Sequence, residues 1–126
     1  MRALLDTQVV VMACFNPASL PKKVLAVIEN DNNNLLISSV SLMEIAIKNA
    51  IGKIQISEQV VRQAIRDLRL SILSFDAKHA YEMFTLPLHH RDPFDRMIIA
   101  TALAEKIPLV GGDGQLKLYK GLHHIW

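Results

Sequence analysis

Cysteine is nearly absent from this 126-residue chain: Cys14 stands alone. No internal disulfide can form, which suits a reducing compartment, and Cys14 itself reads as a small buried hydrophobe. No apolar run reaches the length that crosses a bilayer. The N-terminal MRALLDTQVVVMAC has the outline of a secretion signal, but Asp6 and Gln8 interrupt it where a signal stays apolar. It reads instead as the first strand of a cytoplasmic domain. Also missing are a Gly-rich phosphate loop, a nucleophile elbow, an H-E-x-x-H pair and any internal repeat. These absences weigh against nucleotide binding, serine-hydrolase chemistry and a zincin site. Zinc is disfavoured further because His89–His90 and His123–His124 are adjacent pairs, whose side chains diverge on regular structure, while His79 is isolated.

What is present is a globular composition, 51% apolar and 21% charged, of a length that fits one domain over residues 1–126. The net charge of +2 permits a polyanionic partner without demanding one. Short apolar runs alternate with longer helical patterns. Strands are expected at 3–5, 35–38, 71–74 and 108–110, with another near 122–125. Helices are expected at about 19–29, 41–51, 57–69, 76–86 and 93–106, with a short one at 114–119. DNNN at 31–34 marks a turn. Strands separated by helices imply a three-layer α/β/α sandwich around a mostly parallel sheet. Ligands of such sheets bind beyond the carboxyl ends of the strands.

Four acids fall where that rule points. Asp6 follows the first strand, Glu44 lies in the first turn expected of the helix after the second, and Asp113 follows 108–110 across Gly111–Gly112. Asp95 opens a helix that returns into 108–110, so antiparallel packing carries it to the same edge. It also extends the apolar stripe of Ile98, Ile99, Ala102 and Leu103 at i+3 and i+4 spacing. Like charges at ~4 Å near a protein surface repel by about 4 kcal/mol. Protonation, pairing with Lys or Arg, or a divalent cation relieves that repulsion. All-carboxylate sites suit Mg2+ or Mn2+, whose chemistry is phosphodiester cleavage.

Each acid also has a local reading. Asp92 before Pro93 is an N-cap, and Asp95 fits an acid favoured by the same helix dipole. Ser41 with Glu44 fits a capping box, and Lys48 an ion pair with Glu44. Asp113 in GGDG fits a turn. Asp6 has no evident structural purpose. At this point site and local roles stay open for Asp95, Glu44 and Asp113.

LLDT (4–7), SSVSLMEIAIK (38–48), GKI (52–54), LPLHHRDPFDRMIIATALAE (86–105) and PLVGGD (108–113) together resemble the PIN domain. The likeness is strongest to the VapC branch of type II toxin–antitoxin ribonucleases. It implies a catalytic quartet of Asp6, Glu44, Asp95 and Asp113 in a Mg2+- or Mn2+-dependent endoribonuclease. Asp6, Asp95 and Asp113 would hold metal, and Glu44 would orient or deprotonate the attacking water. Implied partners are RNA, a cognate antitoxin and a second copy of the chain. Thr7, Lys48, Arg91 and Arg96, with Lys53, are expected contacts for the substrate. Gly111 departs from the family, which carries Thr or Ser there. That leaves an inert PIN domain, binding RNA or protein only, as the alternative. A haloacid-dehalogenase-type phosphatase is disfavoured because Gln8 replaces its second acid. A flap nuclease needs more acids and a helical arch than this chain supplies.

Overall fold

Both faces of a parallel sheet are covered, so its strands must be apolar on every residue rather than on alternate ones. ALL, LLI and LV meet that demand. A computed structural model of the chain describes residues 1–126. It places β1 (Arg2–Leu5), β2 (Asn34–Ser38), β3 (Ser71–Leu73), β4 (Leu109–Val110) and β5 (His124–Ile125) in one sheet, ordered β3-β2-β1-β4-β5. All four pairings are parallel.

Side chains alternate across the sheet and feed two cores. Leu4, Leu36 and Leu109 join Ile98, Ile99 and Tyr119 on one face. Ala3, Leu5, Leu35, Ile37 and Val110 join Val9, Val10 and Val24 on the other. Helices α1 (Thr7–Phe15) and α2 (Lys22–Glu29) supply the second core. Helix α6 (Pro93–Glu105) supplies the first. The remaining helices are α3 (Ser39–Ala50), α4 (Glu58–Asp67) and α5 (Ala77–Glu82). The layers are therefore helix, parallel sheet, helix, as the alternation of strand and helix patterns predicts.

Four expectations change. The segment after Asp6 is not a continuation of the first strand but α1, started by the Asp6 carboxylate accepting from Val9 N at 2.8 Å. Cys14 lies on that helix and is exposed rather than buried. Helix α2 begins at Lys22, because Pro17–Ser19 forms a separate 3-10 turn and Pro21 occupies the N-cap. Helix α3 starts at Ser39 and is capped by Ser38, whose hydroxyl accepts from Val40 N. Ser41 and Glu44 thus form no capping box, and Glu44 sits in the second turn of its helix.

Candidate active site

The strand ends and helix starts converge on one edge of the sheet. Asp6 leaves β1, donating its backbone N–H to Val110 O at 3.0 Å. Asp113 follows β4 and caps a 3-10 turn (Gly114–Leu118), its Oδ1 accepting from Gln115 N. Asp95 is the third residue of α6. Asp92 caps that helix, accepting from Phe94 N and Asp95 N, so the local cap belongs to Asp92 and the Asp95 carboxylate is spare. Asp6, Glu44, Asp95 and Asp113 line a single cavity of about 500 Å³, together with Thr7 and Lys48.

Electrostatics follow from that convergence. Burial, and then the charges of Asp95, Glu44 and Asp113, push the Asp6 carboxyl up to about 7, against the opposing backbone hydrogen bond from Val9. Asp95 is raised as well, by burial first and then by Asp92 and Glu44. Asp113 is lowered, chiefly by the Gln115 N–H and also by His90. Lys48 donates to Glu44 Oε2 at 2.6 Å, and its ammonium is held above its usual range by that bond. Glu44 Oε1 is buried with no hydrogen-bond partner. An orphaned carboxylate oxygen in a cluster of acids is costly unless something positive meets it.

Three possible ligand atoms, from His90, Asp95 and Asp113, lie within 4.8 Å of one another. The carboxylates of Asp95 and Asp113, with the orphaned Glu44 oxygen and the raised Asp6, fit a hard divalent cation, while His90 Nε2 is engaged with Asp113. His90 is a participant that sequence reading passed over. It is buried, and its Nε2 lies 2.7 Å from Asp113 Oδ2. The only sequence signal was its place two residues before Asp92; its partners Asp113 and Tyr119 are distant in the chain.

The basic residues divide. Arg91 is exposed and makes no ion pair, so it is free to meet a phosphate, and Lys48 lines the acid cavity. Arg96 is not free. Its guanidinium donates to the carbonyls of Leu86, Pro87 and His90 at 3.4, 3.1 and 3.3 Å, holding the loop before α6. The expected phosphate contact at Arg96 is therefore replaced by loop bracing. Thr7 Oγ1 donates to Ser41 Oγ at 2.8 Å, linking α1 to α3 at the cavity wall.

Gly111 has a defined steric role. A Cβ there would stand 2.3 Å from Asp6 Oδ2, so the missing side chain is the space the Asp6 carboxylate occupies. His124 Nε2 donates to Gly111 O at 2.6 Å and fixes this backbone from the edge strand. Trp126 packs against Gly112 and closes one side of the cavity.

Comparison with known proteins agrees with the architecture. No protein of curated function matches the sequence. A chain of the VapBC2 complex from Rickettsia felis, crystallised with a DNA fragment from its promoter, is 24% identical. It superposes with a TM-score of 0.72 over 99% of this chain and 98% of its own. DNA-bound VapBC from Salmonella typhimurium gives 18% identity and 0.72 over 99% and 97%. VapBC-1 from nontypeable Haemophilus influenzae gives 20% and 0.68 over 99% and 97%. At these identities the likeness is one of fold. The PIN domain matches residues 3–122, nearly the whole sequence, and the chain belongs to the PIN domain family.

Proposed function

We propose that the protein is a Mg2+- or Mn2+-dependent endoribonuclease, the toxin of a type II toxin–antitoxin pair, acting in the cytoplasm. The observation that carries this reading is the gathering of four carboxylates, one with an orphaned buried oxygen, in a cavity wide enough for a phosphodiester. Asp6, Asp95 and Asp113 would hold the cation. When bound, it offsets the repulsion among the acids and stabilises charge on the phosphoryl group under attack.

The chain's own residues do the rest. Lys48 fixes one oxygen of Glu44, leaving Oε1 to accept the proton of an attacking water. Arg91 and Lys48 place positive charge beside an otherwise negative cavity and draw the RNA backbone toward it. Single-stranded or looped RNA fits best, because paired A-form helices hide their base edges. The residues 1–126 act as one PIN unit in this reading.

Partners are proposed on separate features. An apolar groove between α3 and α4, lined by Leu42, Ile45, Ala46, Ile56, Val61 and Ile65, suits a segment of an antitoxin, and the fold is shared with chains of VapBC complexes. Tyr81, Phe84 and Leu88 are 71%, 85% and 68% exposed within one stretch, an apolar surface that suits a second copy of the chain.

Cleavage of a single-stranded RNA with Mn2+, with chelator, and with Asp6→Asn or Asp95→Asn tests the reading. Metal-dependent cutting that each variant removes supports it. Cutting at the unaltered rate by either variant would refute the site. RNA or partner binding with no cleavage under any divalent cation would favour the inert binding module instead, the reading to which Gly111 had pointed.

A further inference from the structure

Of the proposed metal-holding acids, Asp113 is the most exposed. It lies in the Gly111–Gly112–Asp113–Gly114 segment, and its side chain is 46% exposed. Oδ1 is used as the cap of the following turn. Oδ2 has one hydrogen-bond partner, His90 Nε2 at 2.7 Å.

His90 is held at every polar atom it owns. Its backbone N–H donates to Tyr119 Oη at 2.9 Å. Its carbonyl accepts from Arg96. Its Nδ1 lies 3.0 Å from the same Tyr119 oxygen. The two rings stack, with centroids 5.5 Å apart and planes 19° off parallel. Both residues are buried. The protons sort themselves by elimination. An ionised carboxylate only accepts, so Nε2 carries the hydrogen toward Asp113. Nδ1 is then the acceptor in the neutral ring, and Tyr119 O–H donates to it. With the ring neutral, one phenol thus accepts from the backbone N–H of His90 and donates to Nδ1, holding the residue at both points.

We propose that His90, braced by Tyr119 and Arg96, is a positioning residue that aims the Asp113 carboxylate at the cation. This rests on the acid cavity being the metal site, and the experiment below separates the two. Groups that orient a ligand in this way change metal affinity by about 10- to 100-fold when removed. The arrangement also accounts for the buried histidine in a segment that otherwise serves to start α6.

The test is calorimetric titration of Mn2+ into the whole chain, with folding checked by circular dichroism at the titration temperature. His90→Ala is expected to weaken binding about 10- to 100-fold. His90→Gln carries an N–H where Nε2 stands and is expected to restore most of that loss. Tyr119→Phe, which keeps the ring and loses the hydroxyl, is expected to fall between. His90→Ala combined with Asp113→Asn is expected to be no weaker than Asp113→Asn alone, since the histidine acts through that carboxylate.

Unaltered affinity in folded His90→Ala, with binding still lost in Asp95→Asn, would overturn the positioning role and leave the metal site standing. A double variant clearly weaker than Asp113→Asn would overturn it too, by making His90 a ligand in its own right. Equal weakness of the Ala and Gln variants would reduce His90 to a packing residue. An unsubstituted protein that binds no Mn2+ would remove the metal site and this proposal together.

Discussion

Asp6 does two jobs with one side chain. Oδ1 starts α1, and Oδ2 lies over Gly111, facing three other acids. Its carboxyl is raised to about 7 from an ordinary 3.8. A group raised by folding favours the folded state when protonated, so its contribution is complete below pH 3.8 and is lost as pH rises through 7. Asp6→Asn keeps an oxygen to cap α1 and removes the charge. In metal-free protein this variant should melt higher than the unsubstituted chain, by more at pH 8 than at pH 5, as thermal denaturation monitored by circular dichroism would read. A melting difference that shrinks toward pH 8 would contradict the assigned environment. With Mn2+ present, Asp6→Asn and Asp95→Asn should each slow RNA cleavage at least about 100-fold, comparable to removing a group that stabilises charge in the transition state.

At the scale of elements, α5 is fastened to the C-terminal end of α6 by Glu105. That carboxylate meets Lys78 Nζ at 2.5 Å, His79 Nε2 at 2.7 Å and Arg2 at 3.4 Å. His79 is wholly buried, and its Nδ1 accepts from Asp76 N to complete the capping box of α5. Hydrogen bonds from Lys78, then from His79, hold the Glu105 carboxyl down at about 2. A depressed carboxyl contributes stability above its unfolded value near 4.5 and loses it as pH falls through 2. Glu105→Gln should therefore lower the melting temperature by several degrees at pH 7, with the deficit shrinking between pH 4.5 and pH 2. A deficit independent of pH would assign Glu105 a packing role only.

The elements also show where sequence is informative. The runs ALL, LLI and LV are short and apolar on every residue, as strands of a doubly covered sheet are, and the acids that follow them were legible for the same reason. Helix α1 was not legible. TQVVVMACF carries a run of three valines and no clear polar face, which mimics a strand, and only packing of Val9 and Val10 into the second core makes it a helix. Glu44 and Ser41 looked like a capping box because the start of α3 was placed two residues late. His90 could not be read because its partner Tyr119 lies 29 residues away in an irregular segment. Arg96 looked like a phosphate contact because sequence does not reveal three carbonyls waiting in the preceding loop.

Over the whole molecule, the α3–α4 groove shares Ile45 and Ile56 with the lining of the acid cavity, so an antitoxin segment seated in the groove as proposed would border the site proposed for substrate, whereas the apolar stretch around Phe84 contributes to neither. If a second copy pairs through this stretch as proposed, Phe84→Glu should shift the chain from dimer to monomer in light scattering after gel filtration, with the circular dichroism spectrum unchanged. A dimer that survives this substitution would place the interface elsewhere. If Arg91 and Lys48 meet phosphates as proposed, RNA binding should weaken as salt rises. In the proposed site, Asp6, Asp95 and Asp113 would hold a divalent cation. Anomalous diffraction from crystals soaked in Mn2+ tests it most directly. The expected result is a peak bounded by those three carboxylates that disappears in Asp95→Asn; a saturated soak with no peak there, or with one only at another site, would contradict it.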